Sequence, residues 1–345
     1  MQFNHFLTSY MPDAGYGAGR LYRDLIEQAV LADRLGYAGI SIPEHHLVNL
    51  LMIPSPLQMA VKIATLTSRL EVVTAVAVLP IRDMRVFAGE VIQAQILCDD
   101  RLVLGVGRGA FAYELARLGV PIETTREKFD ESLAVLEALL GGEEVSWDGK
   151  YYRFEPLTVM PRPSGQPIPI MMAAMAPDAI HASARKGYSI QTTPLEASHD
   201  VLLGQVDAFK RGQREAGARG KGTKLSLQRV AYAARDERDA RDKLERAYEY
   251  YKRFDNVFRG PGSVSAGMID PLPRRQSVEE LARNVMICPP SEMVDRLGAY
   301  AEAGIDEVIM SSNFAQPQAE TLEMMQRMAD EVMPHLMPRA ERALA

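Results

Sequence analysis

Two cysteines in 345 residues, Cys98 and Cys288, are too few for a disulfide framework and suit a reducing compartment. No run of about 20 apolar residues occurs, so no membrane-spanning helix is expected. The first residues, MQFNHFLTSYMPDAGYG, lack the basic start and apolar core of a secretory signal, and the expected location is cytoplasmic. Basic residues are not in excess: the formal net charge is -6, which argues against a nucleic-acid partner. Only six histidines are present, and His5, His181, His199 and His335 fall at spacings unsuited to zinc, so no metal is expected. Neither the lysine of a phosphate-binding loop nor the spaced glycines of a dinucleotide fingerprint is found. Methionine, by contrast, is plentiful, 18 in all, which suits core filling or a soft, adaptable pocket.

Short apolar runs alternate with amphipathic stretches along the whole chain. Strands are expected at 2–10, 39–42, 70–79, 102–106, 168–172, 189–192, 225–234 and 307–311. Helical periodicity lies between them, as in Leu21, Leu25, Ala29, Ala32 and Leu35, and again over 84–98, 127–140, 177–186, 199–216 and 238–253. A hairpin is expected over 145–154, turning at Asp148-Gly149. Eight strand–helix units in unbroken alternation predict a parallel (β/α)8 barrel, one domain over 1–345. One segment, 254–283, is long and rich in glycine and proline; between the seventh and eighth units it would form a lid at the barrel mouth.

Barrel chemistry sits just beyond the C-terminal ends of the strands. After the second strand comes Pro43-Glu44-His45-His46. A histidine there can transfer protons near neutral pH, and a neighbouring carboxylate can fix its tautomer; a histidine satisfied within a loop is the plainer alternative. After the fourth comes Gly105-Val106-Gly107-Arg108-Gly109, whose glycines would let backbone amides approach an anion beside a guanidinium. A simple strand-to-loop turn would use the same glycines.

Taken in order, FNHFLTSYMP, PEHH, TAVAVLP, DDRLVLGVGRG and ADEVMPHL resemble the bacterial luciferase-like flavin monooxygenases, the alkanal monooxygenase alpha chain among them. The resemblance spans essentially the whole chain. It implies catalysis by His45 with Glu44 beside it, and FMN phosphate held by Arg108 between Gly107 and Gly109. It implies a non-prolyl cis peptide at Ala75-Val76 under the flavin ring, and a second phosphate turn at Ala174-Met175-Ala176. At that turn Met175 stands where a serine is usual, so backbone amides would serve. Gly107 replaces a cysteine of the luciferases.

The implied reaction uses molecular oxygen and reduced FMN, delivered by a separate reductase, to oxygenate a small, largely apolar substrate through a peroxyflavin. Tyr10, Met52, Phe111, Tyr113, Met171 and Met268 are the expected substrate walls. A homodimer, or a heterodimer with a related chain, is implied too. Three alternatives stand beside this reading: a deazaflavin-dependent hydride transferase, a non-catalytic flavin-binding subunit, and an unrelated barrel lyase or isomerase.

Overall fold

The runs richest in β-branched residues become the inner ring of the molecule, because a strand covered on both faces tolerates apolar side chains at every position. The computed structural model describes residues 1–163 and 165–337; Ser164 and 338–345, where the expected domain ends, lie outside the described residues. The ring comprises β1 (Gln2–Phe6), β2 (Gly39–Ile42), β3 (Glu71–Thr74), β4 (Leu102–Gly107), β5 (Ile170–Ala173), β6 (Ser189–Thr192), β7 (Leu225–Ala233) and β8 (Glu307–Ser311). Each pairs in parallel with its sequence neighbours, and β8 pairs with both β7 and β1, as in Ser226↔Glu307 and Gln2↔Glu307. The eight strands therefore close into a barrel.

Helices cover the outside. Those that matter to the site are α1 (Ala18–Arg34), α2 (Pro56–Ala64), α3 (Met84–Leu97), α4 (Ala112–Arg117), α5 (Thr125–Gly141), α6 (Pro177–Lys186), α7 (His199–Ala216) and α8 (Glu237–Phe258). In α1, Leu21, Leu25, Ala29 and Ala32 are buried, the stripe its spacing predicted. Proline at the first position starts α6, and Gly187 in the left-handed region ends it. No helix among the described residues is long and apolar enough to cross a membrane.

Two strands are shorter than their sequence suggests. The first ends at Phe6, not residue 10, and the third stops at Thr74 before resuming as the short bridge Ala77–Val78 beside β4. Helix α8 is longer than its expected 238–253 and takes in Phe254 and Phe258. Residues 278–284 form a further short helix, and Met286–Cys288 pairs with the C-terminal end of β7. The expected lid thus shrinks to 259–277, which holds a small hairpin, Val264–Ser265 with Met268–Ile269. The Ile269 amide donates to Asn49 Oδ1 at 3.0 Å, tying this segment to the loop after β2. Asn256 holds its base by donating to the Ser263 and Asp270 carbonyls.

Candidate active site

A cavity of about 650 Å³ opens at the C-terminal mouth of the barrel. Residues just past successive strands build its wall: His45 after β2, Ala75 and Val76 after β3, Arg108 after β4, Ala174, Met175 and Ala176 after β5. All eight expected cofactor residues, including Gly107 and Gly109, line it.

The glycines of β4 have a reason the sequence did not suggest. A Cβ on Gly105 would lie 1.9 Å from the Thr74 carbonyl oxygen, and one on Gly107 would lie 2.6 Å from a Val76 methyl. They leave room for the Thr74 backbone and the Val76 side chain. Only Gly109, at φ +84°, needs glycine for its conformation. The Ala75–Val76 peptide is cis, as the resemblance implied.

Arg108 donates to Thr125 Oγ1 at 3.3 Å and has Arg126, in the first turn of α5, as a charged neighbour. Neither guanidinium pairs with a carboxylate among the described residues. Partial burial, and then the like charge of Arg126, hold Arg108 below the ordinary arginine range. Two neighbouring cations without a counter-ion make a site for an anion. Ala176, just before α6, and Ala179 in its first turn line the same cavity, which puts the positive end of that helix beside it. At the expected second phosphate turn the Ala174 amide is already used, donating to the Gln191 carbonyl at 3.0 Å. The amides of Met175 and Ala176 have no such partner among the described residues.

His45 is held differently from the sequence expectation. Its Nδ1 donates to Glu114 Oε1 at 2.8 Å, and the other Glu114 oxygen accepts from the His46 amide at 2.7 Å. Glu114, on α4, is buried. The imidazole lies flat on Phe111, ring centroids 3.8 Å apart. With Nδ1 committed, Nε2 is the nitrogen left without a hydrogen-bond partner among the described residues. It can therefore accept or return a proton.

Glu44 is not the partner of His45. Its buried carboxylate takes Arg82 Nη1 at 2.6 Å, His46 Nε2 at 2.8 Å and the Val78 amide at 2.9 Å. Adjacency in sequence misled because the Glu44 carboxylate is taken up by Arg82, His46 and Val78, while His45 finds its partner on α4. Glu114 and Arg126 were missed because they sit 69 and 18 residues from the groups they serve, a separation no local motif records.

Of the expected substrate walls, only Phe111 lines the cavity. Tyr10 packs edge-on against Tyr250, centroids 5.1 Å apart, and borders a separate cavity of about 220 Å³. Met52 offers its carbonyl to the Tyr22 hydroxyl, and Tyr113 is covered by the Arg117 guanidinium. Met171 faces away because side chains alternate along β5, which puts Met172 on the cavity instead. Met268 lies in the small hairpin and does not reach the cavity wall. The apolar wall is supplied largely by α8, through Tyr250, Tyr251, Phe254 and Phe258. Their spacing along that helix was readable, but the charged residues between them suggest an outer helix.

The carboxylate cluster found outside the cavity, Asp239, Asp242 and Glu320, surrounds the Lys243 ammonium at 2.8, 2.8 and 2.7 Å.

Residues 1–307 match the model of the luciferase-like monooxygenases, and the chain belongs to that family. It is 27% identical over 332 residues to the oxygenase component of a flavin-dependent trigonelline monooxygenase from Acinetobacter baylyi, covering 91% of this chain and 90% of the relative. It is 26% identical over 336 residues to an F420-dependent glucose-6-phosphate dehydrogenase from Beutenbergia cavernae, covering 92% and 94% of the two chains. The fold superposes on the monooxygenase RslO1 from Streptomyces bottropensis with a TM-score of 0.84 at 22% identity, over 98% of this chain and 100% of that one.

Proposed function

We propose that this chain is the oxygenase component of a two-component, FMN-dependent monooxygenase that acts on a small, largely apolar organic molecule. One observation carries the reading: the uncompensated Arg108–Arg126 pair and the free Nε2 of His45 face the same cavity, separated around the mouth by the strand that bears Ala75–Val76. The residues present fit a flavin mononucleotide. Arg108, Arg126 and the amides of Met175 and Ala176 would hold its phosphate, with Ala75 and Val76 against the ring. Bound in reduced form, the flavin supplies the electrons and activates molecular oxygen.

The chain's own residues do the rest. His45, locked in one tautomer by Glu114, holds or moves a proton at Nε2. Phe111 and the aromatic side of α8 keep water from the reacting atoms, and 259–277 closes over the mouth as a lid. The absence of a dinucleotide fingerprint leaves reduction of the flavin to a separate reductase. A dimer, with itself or with a related chain, completes the proposal. The intact arginine pair and the free imidazole nitrogen favour a catalytic chain over a cofactor-holding subunit.

Hydride transfer on the deazaflavin F420 is the second reading, favoured by the dehydrogenase relative of nearly equal identity and coverage. Titration with FMN, riboflavin and F420 separates the two. FMN should bind best, and Arg108→Ala should weaken FMN by more than tenfold while barely changing riboflavin, since truncating one side of a desolvated charge pair costs about 2–5 kcal/mol. Tighter binding of F420 than of FMN would favour the second reading. Equal losses for FMN and riboflavin would make Arg108 structural.

A further inference from the structure

Helix α8 presents Tyr250, Phe254 and Phe258 one turn apart, and their rings run on from one another. Tyr250 and Phe254 stack at 6.1 Å, and Phe254 and Phe258 at 5.1 Å. Phe254 meets Phe111 edge-on at 5.9 Å, and Phe111 lies flat under His45. The cavity is therefore bounded by two aromatic surfaces set at a steep angle, with the free imidazole nitrogen borne on one of them. Such a corner favours a flat ring over a flexible chain.

Two phenols in this wall are unusual. Tyr250 and Tyr251 line the cavity and are only 5% and 3% exposed, yet neither hydroxyl has a hydrogen-bond partner among the described residues. Of the other buried tyrosines, Tyr37, Tyr232 and Tyr152 donate to the Met325, Glu320 and Arg82 carbonyls, Tyr300 accepts from Arg229, and Tyr10 has the Arg253 side chain beside it. Buried phenols ordinarily find such partners. Burial also pushes both hydroxyls well above the ordinary phenol range, so they remain protonated and available as donors. The charges acting on Tyr251 are two of each sign, Glu196 and Asp255 against Arg229 and Arg274, while Tyr250 feels only its phenolic neighbours Tyr251 and Tyr10. Nothing in that balance calls for an anionic ligand.

We propose that Tyr250 and Tyr251 are specificity-determining donors that select a flat, ring-bearing substrate with an uncharged acceptor oxygen, of the aryl ketone or quinone class. Calling that ligand the substrate rests on the function proposed above; the binding preference itself does not. The acceptor oxygen would give both hydroxyls the partner that the protein withholds. An analogue without it would leave them buried and unpaired, the situation in which a polar site discriminates most strongly.

The test uses full-length protein, with and without oxidised FMN, and three probes of one shape: 2-acetylnaphthalene, 2-ethylnaphthalene and 2-naphthoate. Affinities are read by calorimetry. The ketone should bind at least about tenfold more tightly than the hydrocarbon and, with FMN on the arginine pair, more tightly than the carboxylate. Tyr250→Phe and Tyr251→Phe should each erode that preference and the double variant should abolish it. Hydrocarbon binding should hold throughout, which shows that the pocket is still formed. Equal binding of ketone and hydrocarbon, or a preference that survives in the double variant, would overturn the proposal, as would tighter binding of the carboxylate to the FMN-loaded protein. A protein that keeps the ketone preference but fails to bind FMN would overturn the proposed function and leave this inference standing.

Discussion

His45 and His46 are neighbours in sequence, each with its own buried glutamate, and the two pairs do opposite things. Around Glu44 every bond is closed: its oxygens take Arg82, His46 and the Val78 amide, joining the loop after β2 to the segment after β3. Around Glu114 one position stays open, because His45 is held at Nδ1 and left free at Nε2 on the cavity. A closed network fixes backbone in place, whereas a half-open one fixes a ring and leaves it a reactive atom. The same residue types thus serve as scaffold and as candidate proton carrier within two positions of each other.

The largest expected effect comes from exchanging the two histidines' fates. His45→Ala should still fold and bind reduced FMN but lose about 100-fold or more in product formation, the usual value of a general acid or base. Oxygen consumed by that variant should emerge as hydrogen peroxide. His46→Ala should instead lose stability, by about 1–3 kcal/mol for the hydrogen bond it removes from the buried Glu44 carboxylate, with near-normal turnover per bound flavin. Parallel oxygen-uptake and thermal-melting measurements check both. Near-normal turnover in His45→Ala with a dead His46→Ala would reverse the assignment.

A smaller effect is expected from the carboxylates. Glu114→Gln keeps a hydrogen bond to the ring but permits the wrong tautomer, and turnover should fall by about tenfold with flavin affinity unchanged. Glu44→Gln leaves Arg82 without its counter-ion and should show chiefly as a lower melting temperature. Equal turnover losses in the two variants would erase the contrast between the pairs.

A last effect, on acid stability alone, concerns a histidine outside the cavity. His5, buried in β1 with Nε2 3.0 Å from Gln28 Oε1, is pushed down to about 4 by desolvation, with the Gln28 bond opposing. Below the unfolded value near 6.5, the unfolded chain takes up a proton that the folded one refuses. Stability from this group is therefore full above pH about 6.5 and is lost as the pH falls toward about 4, by about 3 kcal/mol in total. His5→Gln should flatten that part of the acid limb in a series of denaturant melts. An unchanged limb would place the acid sensitivity elsewhere.

The barrel was legible because each unit announces itself locally: a β-branched run, then apolar residues at helical spacing, as in 70–74 followed by Met84–Leu97. Elements that depend on distant partners were not. The six-residue α4 is too short to show a period, and it carries Glu114. The break after Thr74 was hidden inside an apolar run that reads as one strand. The expected cofactor residues lay at strand ends, where the fold itself predicts a site, and all of them line one cavity. The apolar lining did not lie there: Tyr10, Met52 and Tyr113 are outside that cavity, and its aromatic wall comes from the far end of α8. Which way a side chain turns in a loop, as with Glu44 and His45, is set by tertiary packing and leaves no trace in composition or spacing.

The most direct test of the account is rapid mixing of the protein carrying reduced FMN with oxygenated buffer, following the flavin absorbance. The account predicts reoxidation in two resolved phases, the first scaling with oxygen concentration and the second independent of it, with His45→Ala still showing the first. Reoxidation indistinguishable from that of free FMN, or no reaction with oxygen at all, would contradict it.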